Sequence, residues 1–332
     1  MDPLTHTATG LFLSRAGLRR WSPLATPILM LAANAPDADI VTAAGGSLSY
    51  LHYHRHLTHS LLLAPVMALL PVVLVRLAAR KPVQWLGAWA AAMIAVGTHL
   101  LLDWTNVYGI RLLLPFSARW LRLDIASVID PWIWTILFLG IAAPFLGKLV
   151  GSEIASGAHR PTHYGRGAAW FSLLCLLAYD GGRAVLHQRA VATLDARVYG
   201  GAAPQRVAAM PDATNPWRWR GVVETADFYA VEDFQLGGEF DPERASVFHK
   251  PDPDPALDVA ARTPEFVEFL RFAQFPLWRI SPAPEPEGAK IVEVIDMRFG
   301  TPLAPGFMAG AVVTNRLQAL DPFFRFGRLK PR

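Results

Sequence analysis

The chain has 332 residues, 52% of them hydrophobic and only 17% charged, against roughly 25% charged in an ordinary soluble protein. The charge is unevenly placed: residues 1–190 hold 15 Lys/Arg and 8 Asp/Glu, whereas residues 191–332 hold 16 and 19. The net charge of +4 is too diffuse for a nucleic-acid surface, and a single cysteine excludes a disulfide framework or a Cys-cluster metal site.

Met1-Asp2-Pro3 lacks the basic start and apolar run of a cleaved signal peptide. Leu4–Arg20 has apolar positions at helical spacing with Arg15, Arg19 and Arg20 toward its end. It reads as an interfacial helix, with packing along a bundle as the alternative. Pro23–Val41 contains Pro27, Asn34, Pro36, Asp37 and Asp39, and reads as a helix that dips into the membrane and ends at a polar site. Four later stretches are long and apolar enough to cross a bilayer, which takes about 20 helical residues. They are Leu61–Ala79, Trp85–Leu102, Trp132–Val150 and Ala168–Leu186, each bounded by charge or by Pro and Gly.

Beyond residue 190 the pattern changes. Strand-like runs fall at Gly221–Phe234, Phe275–Ile280, Lys290–Phe299 and Gly306–Thr314, with turn-rich Lys250–Pro255 and Pro282–Gly288 between them. Pro264–Phe272 predicts a helix, and the lone His249 reads as a surface residue. The expected fold is therefore a membrane all-α helical bundle of about four transmembrane helices over residues 1–190. A soluble α+β domain, built around an antiparallel sheet, follows over residues 191–332.

Ionisable groups at a membrane are costly and usually have a partner or a function. Three clusters concentrate them. His52-Tyr53-His54-Arg55-His56-Leu57-Thr58-His59-Ser60 places four histidines in eight residues just before an apolar stretch. Imidazole is the commonest nitrogen ligand of zinc-like metals, although a polar loop or proton-sensitive cap would use the same residues. His99 and Asp103, at i and i+4, share one helix face, where they could hold a metal or form a helical ion pair. Asp37 and Asp39 in Pro36-Asp37-Ala38-Asp39 could coordinate a cation, or Asp37 could cap a turn. His6 joins these only once the others are assembled.

His6, the PDxD of Pro36–Asp39, the HRxxTHS of His54–Ser60 and the HxxxD of His99–Asp103 occur in this order, followed by Gly109, Pro115-Phe116 and Asp130-Pro131. This ordered set resembles the YdjM family of membrane-bound, predicted metal-dependent hydrolases, over roughly residues 1–150 and up to 190. The order of histidines and aspartates is also similar to that of zinc-dependent phospholipase C and the P1-type single-strand nucleases. The resemblance implies metal ligation by His6, Asp39, His59, His99 and Asp103. His54 and Asp37 are alternates, and Asp37 is assigned to positioning water. It favours His54 and His59 over His52 and His56, and makes Arg55 a phosphate contact, with an interfacial arginine as the alternative. No HxxxE follows Asp103, and His159 and His163 fall in another loop, so the expectation is one or two divalent ions, zinc or else manganese.

Four spans would put every proposed ligand on the same face as the tail. Nine Lys/Arg on that face against six on the other lean toward the cytoplasm. The expected activity is metal-dependent hydrolysis of a phosphate ester on a membrane lipid or lipid-linked substrate at the inner membrane. The alternative is a non-catalytic scaffold with a structural metal and a partner-binding tail. A transporter is disfavoured by the few spans and a site at one edge.

Overall fold

The structure, a computed structural model, describes residues 1–154 and 165–326. His159 and His163 lie outside the described residues. The chain divides into two units. The first comprises Met1–Asp39, Arg55–His187 and Pro211–Pro216, and the second Ile40–His54, Gln188–Met210 and Trp217–Arg332.

The first unit is helical. Asp2 caps α1 (Pro3–Ala16) by accepting from the backbone of Leu4 and Thr5, with proline in the first turn. Phe12, Thr5, Thr9 and Ser14 of α1 are all buried. The helix thus packs within the bundle, the alternative reading of the sequence, and its small hydroxyl residues find partners there, as Thr9 does on the Thr5 carbonyl at 2.7 Å. Gly10 permits a close approach to α2 (Ala25–Ala32): a Cβ there would stand 2.6 Å from the Leu29 carbonyl oxygen. The dipping segment is thus a short helix, and it runs into 3-10 turns over Ala35–Gly45.

Four helices occupy the stretches read as spans: α4 (Ala64–Ala79), α5 (Trp85–Thr105), α6 (Pro131–Ile154) and α7 (Arg166–Asp195). Among the described residues, α5 and α7 are each long and apolar enough to cross a membrane. A third candidate joins α4 to the preceding Ser47–His59 at an 89° bend, giving two to three candidate spans. Ala88, Ala91, Ala92 and Ala95 of α5 pack against Ile28, Leu29 and Ala32 of α2 and Ala68 and Val72 of α4. Small residues let the helices approach closely without relying on water to drive them together.

The second unit holds two four-stranded antiparallel sheets where the sequence suggested one. The first orders β1 (Arg206–Pro211), β2 (Arg218–Glu224), β3 (Phe228–Gln235) and β4 (Ser246–His249) in sequence. The second orders β5 (Pro276–Pro282), β6 (Lys290–Asp296), β7 (Phe307–Val313) and β8 (Ala319–Phe326). Gly221–Phe234 proves to be a hairpin, with Val222 opposite Val231. Two helices accompany them, α8 (Pro255–Ala261) and α9 (Pro264–Phe272), and α9 buries Phe266, Phe269 and Phe272 on one face. A piece of the N-terminal half belongs here too: in α3 (Ser47–Tyr53), Leu51 is buried, Ser47 donates to the Phe324 carbonyl, and His52 Nδ1 lies 2.9 Å from Glu268.

Candidate metal centre

Four chain segments of the first unit converge at one end of its helices: the start of α1, the turns after α2, the turn before α4, and the last turn of α5. His99 and Asp103 stand one turn apart on α5, both buried. His59 sits in the short 3-10 turn Leu57–His59. Asp37 is placed by the 3-10 turns after α2, where Asn34 anchors the bend by donating to the Thr7 hydroxyl and the Met30 carbonyl at 2.9 and 2.8 Å.

One ligand atom from each of Asp37, His59, His99 and Asp103 lies within 4.8 Å of all the others. His59 Nε2 is 3.4 Å from both Asp37 Oδ1 and Asp103 Oδ2. His99 Nε2 is 3.5 Å from Asp103 Oδ2, 3.7 Å from Asp37 Oδ1 and 3.2 Å from His59 Nε2. The far ring nitrogens decide what these atoms are. His99 Nδ1 lies 2.7 Å from the Ala33 carbonyl, which only a donor can satisfy, so a neutral His99 turns a bare lone pair inward. His59 Nδ1 lies 3.1 Å from the Thr58 hydroxyl and 3.3 Å from Asp39 Oδ2, so Nε2 is the nitrogen that faces the cluster. Two nitrogen lone pairs and two carboxylate oxygens thus face one another in a buried space. Such a donor set fits a divalent metal.

The remaining residues singled out in the sequence surround this set. Asp39, expected as a ligand, lies behind His59. Its Oδ2 accepts from the Arg55 backbone N–H at 2.8 Å and the Thr58 hydroxyl at 3.0 Å, while Asp37 takes the inward place. Arg55 is buried, with its two Nη atoms donating to Asp103 Oδ1 at 3.0 Å, Asn106 Oδ1 at 3.1 Å and the Gly109 carbonyl at 3.0 Å. It adopts a left-handed φ of 53°, which lets its backbone reach Asp39 while its side chain reaches Asp103. His6 is fully buried, stacks on His99 with ring centroids 3.8 Å apart, and approaches Asp103 Oδ1 at 3.5 Å. Burial foremost, then neighbouring positive groups, hold its imidazole well below the ordinary range, so it is neutral. Its two ring nitrogens have no hydrogen-bond partner among the described residues. The amino group of Met1 also meets Asp103 Oδ1. His54 belongs to the second unit and stacks on Tyr50 at 4.4 Å.

Sequence reasoning missed the Ala33 carbonyl, Thr58 and Asn106. The first has no side-chain signature. Asn106 carried one: it follows Asp103 by three residues and its carbonyl oxygen accepts from the backbone of Tyr108 at 2.9 Å, shaping the loop that receives Arg55. Asp130 is structural, accepting from the first turn of α6 at Trp132 and from the Tyr179 hydroxyl, both at 3.0 Å.

An apolar helical bundle carrying a buried His/Asp cluster at one end defines a membrane protein with a candidate metal centre. Comparison with known families agrees: the chain belongs to the YdjM inner membrane protein family, whose model matches residues 1–190. It is also 28% identical over 170 residues to the uncharacterized protein YfhP of Bacillus subtilis (strain 168), covering 47% of this chain and 50% of that one. The chain thus spans about half the length of that curated relative. No solved structure matches.

Proposed function

We propose that the protein is a metal-dependent hydrolase of a phosphate ester carried by a lipid or lipid-linked molecule. The observation that carries this reading is the asymmetry of the donor set: His59, His99 and Asp103 are enclosed, whereas the Asp37 side chain is 22% exposed. A structural metal site is closed on all sides, and a catalytic one keeps a position open. That asymmetry favours hydrolysis over a purely structural site in a scaffold. The mixed nitrogen and oxygen donors suit zinc, with manganese as the alternative. One ion accounts for the set, because the outer oxygen of Asp103 already accepts from the Arg55 guanidinium.

When bound, such an ion supplies a lowered pKa for a coordinated water and charge compensation for phosphate oxygens. The protein's own groups do the rest. His59, His99 and Asp103 would hold the ion, the Ala33 carbonyl and Asp39 fix the two rings, and Arg55 fixes Asp103. Asp37, at the open edge, takes the proton of the water whose oxygen attacks phosphorus. The P–O bond to the ester oxygen breaks, and the departing oxygen takes that proton from Asp37 to leave as the alcohol. The chemistry rests on analogy with zinc phosphoesterases, not on the fold alone.

A screen of phosphomonoesters and phosphodiesters in detergent and liposomes tests this. Chelator-sensitive release of the alcohol is expected, and Asp37→Asn should lower turnover by at least about a hundredfold while part of the metal is retained. Full metal loading with no turnover on any phosphate ester would transfer the protein to the scaffold reading.

A further inference from the structure

The metal centre stands beside an exposed apolar surface that the proposed chemistry does not use. Two residues after His59, the chain presents Leu61 and Leu62 outward before entering α4. The Leu61 N–H donates to the Leu112 carbonyl at 3.0 Å, which ties it to the turn that exposes Leu113 and Phe116, the latter 85% exposed. Leu69, Leu70, Leu74 and Leu77 of α4 are exposed as well. Arg119, three residues beyond Phe116, is also exposed.

A second observation fixes the depth. Exposed tryptophans mark both ends of the helices, as they do at membrane–water interfaces. Trp21, Trp85 and Trp170 mark one end. Trp132 and Trp134 mark the other, in the first turn of α6, where Trp134 Nε1 donates to Asp2 Oδ2 at 3.0 Å. Asp2 caps the helix that carries His6, so the metal centre lies at the level of that tryptophan pair. Phosphate head groups occupy this level, and acyl chains lie just below it.

We infer that Leu61, Leu62, Leu113 and Phe116 form an apolar lip for the acyl chain of a phosphate-bearing membrane lipid, whose head group reaches Asp37, His59, His99 and Asp103 from the plane of the bilayer. The lip itself rests on exposure and depth; only the phosphate rests on the proposed function. The substrate class follows: an amphiphile long enough to stay in the membrane while its ester is cut, and not a soluble phosphate ester.

Two measurements on the full chain in nanodiscs test this. On a Cys175→Ser background, bimane is placed at Leu62→Cys and Phe116→Cys, with Leu74→Cys as the membrane-facing reference and Glu287→Cys, on an exposed turn of the second unit, as the other. Phospholipid brominated near the top of its acyl chains should quench labels at 62 and 116 about as strongly as at 74. Quenching no greater than at 287 would overturn the lip, whether water or a partner protein covers it. In cobalt-substituted protein, dodecylphosphonate should perturb the metal spectrum at lower concentration than methylphosphonate. Phe116→Ser should weaken the dodecyl compound by about tenfold and leave the methyl compound unchanged. Equal affinities in wild type and Phe116→Ser would also overturn the lip. Failure to bind cobalt would instead count against the metal centre, and the quenching result would still decide the lip.

Discussion

Two buried charged clusters, one in each unit, show opposite ways of enclosing a carboxylate. In the second unit, Asp296 receives the Arg298 guanidinium at both oxygens, with Nε 3.1 Å from Oδ1 and 2.9 Å from Oδ2 and Nη2 2.6 Å from Oδ2. The Arg298 backbone and the Gln274 N–H donate to it as well, and Nη2 also reaches the Phe272 carbonyl. Charge is matched by charge and acceptor by donor, and the cluster is complete as it stands. In the first unit, Asp37, His59, His99 and Asp103 turn four acceptors toward a common point. Buried polar groups are normally satisfied, and this ordered set of convergent acceptors marks a candidate cation site. The contrast separates a pair satisfied within the fold from a set that could hold a metal.

Substitutions should separate the two clusters. The largest effect is expected at the first: His99→Ala or Asp103→Ala removes a ligand, and metal content of the purified protein should fall from about one equivalent to near zero. Asp296→Ala should leave metal content unchanged but destabilise the protein by about 3–5 kcal/mol, because it strands a buried guanidinium; denaturant unfolding followed in the full chain reads this loss. Asp39→Asn weakens an orientation and spares the ligands, so metal affinity should drop by about 10–100-fold, measured by competition with a chromophoric chelator.

The smallest effect concerns pH. Burial alone would raise the Glu224 carboxyl, but Lys250 and Arg206 outweigh it and hold the group below its ordinary value. A folded-state pKa below the unfolded one gives stability that is present at neutral pH and lost as pH falls from about 4.5 through the folded value. Arg206 is half exposed and Lys250 partly so, so the loss should be about 1 kcal/mol or less and absent in Glu224→Gln, as read from melting temperatures between pH 6 and pH 3.

The sequence made the chemistry more legible than the architecture. His99 and Asp103 could be paired because i and i+4 share a helix face whatever surrounds them, and His59 stood out by its company. Which of Asp37 and Asp39 turns inward could not be read. The two residues lie in 3-10 turns, where positions two apart do not have a fixed relation to a helix face, and the decision belongs to Asn34 and the bend it anchors. Arg55 looked like a phosphate contact because arginine suits phosphate, but its partners Asp103, Asn106 and Gly109 are distant in sequence. In the second unit, Pro264–Phe272 was legible from its phenylalanine spacing. The short β4 and the β8 strand, which carries Asp321 and Pro322, lack a clean alternation, and only tertiary pairing makes them strands. That eight strands form two sheets is a matter of long-range pairing that no local pattern encodes.

The account turns on whether an ion sits among the four convergent acceptors. Elemental analysis of the protein purified without added metal, beside His59→Ala and Asp296→Ala, tests this directly. The prediction is about one equivalent of zinc or manganese in wild type and in Asp296→Ala, and near none in His59→Ala. Wild-type protein free of transition metal and unable to take it up, or His59→Ala fully loaded, would contradict it.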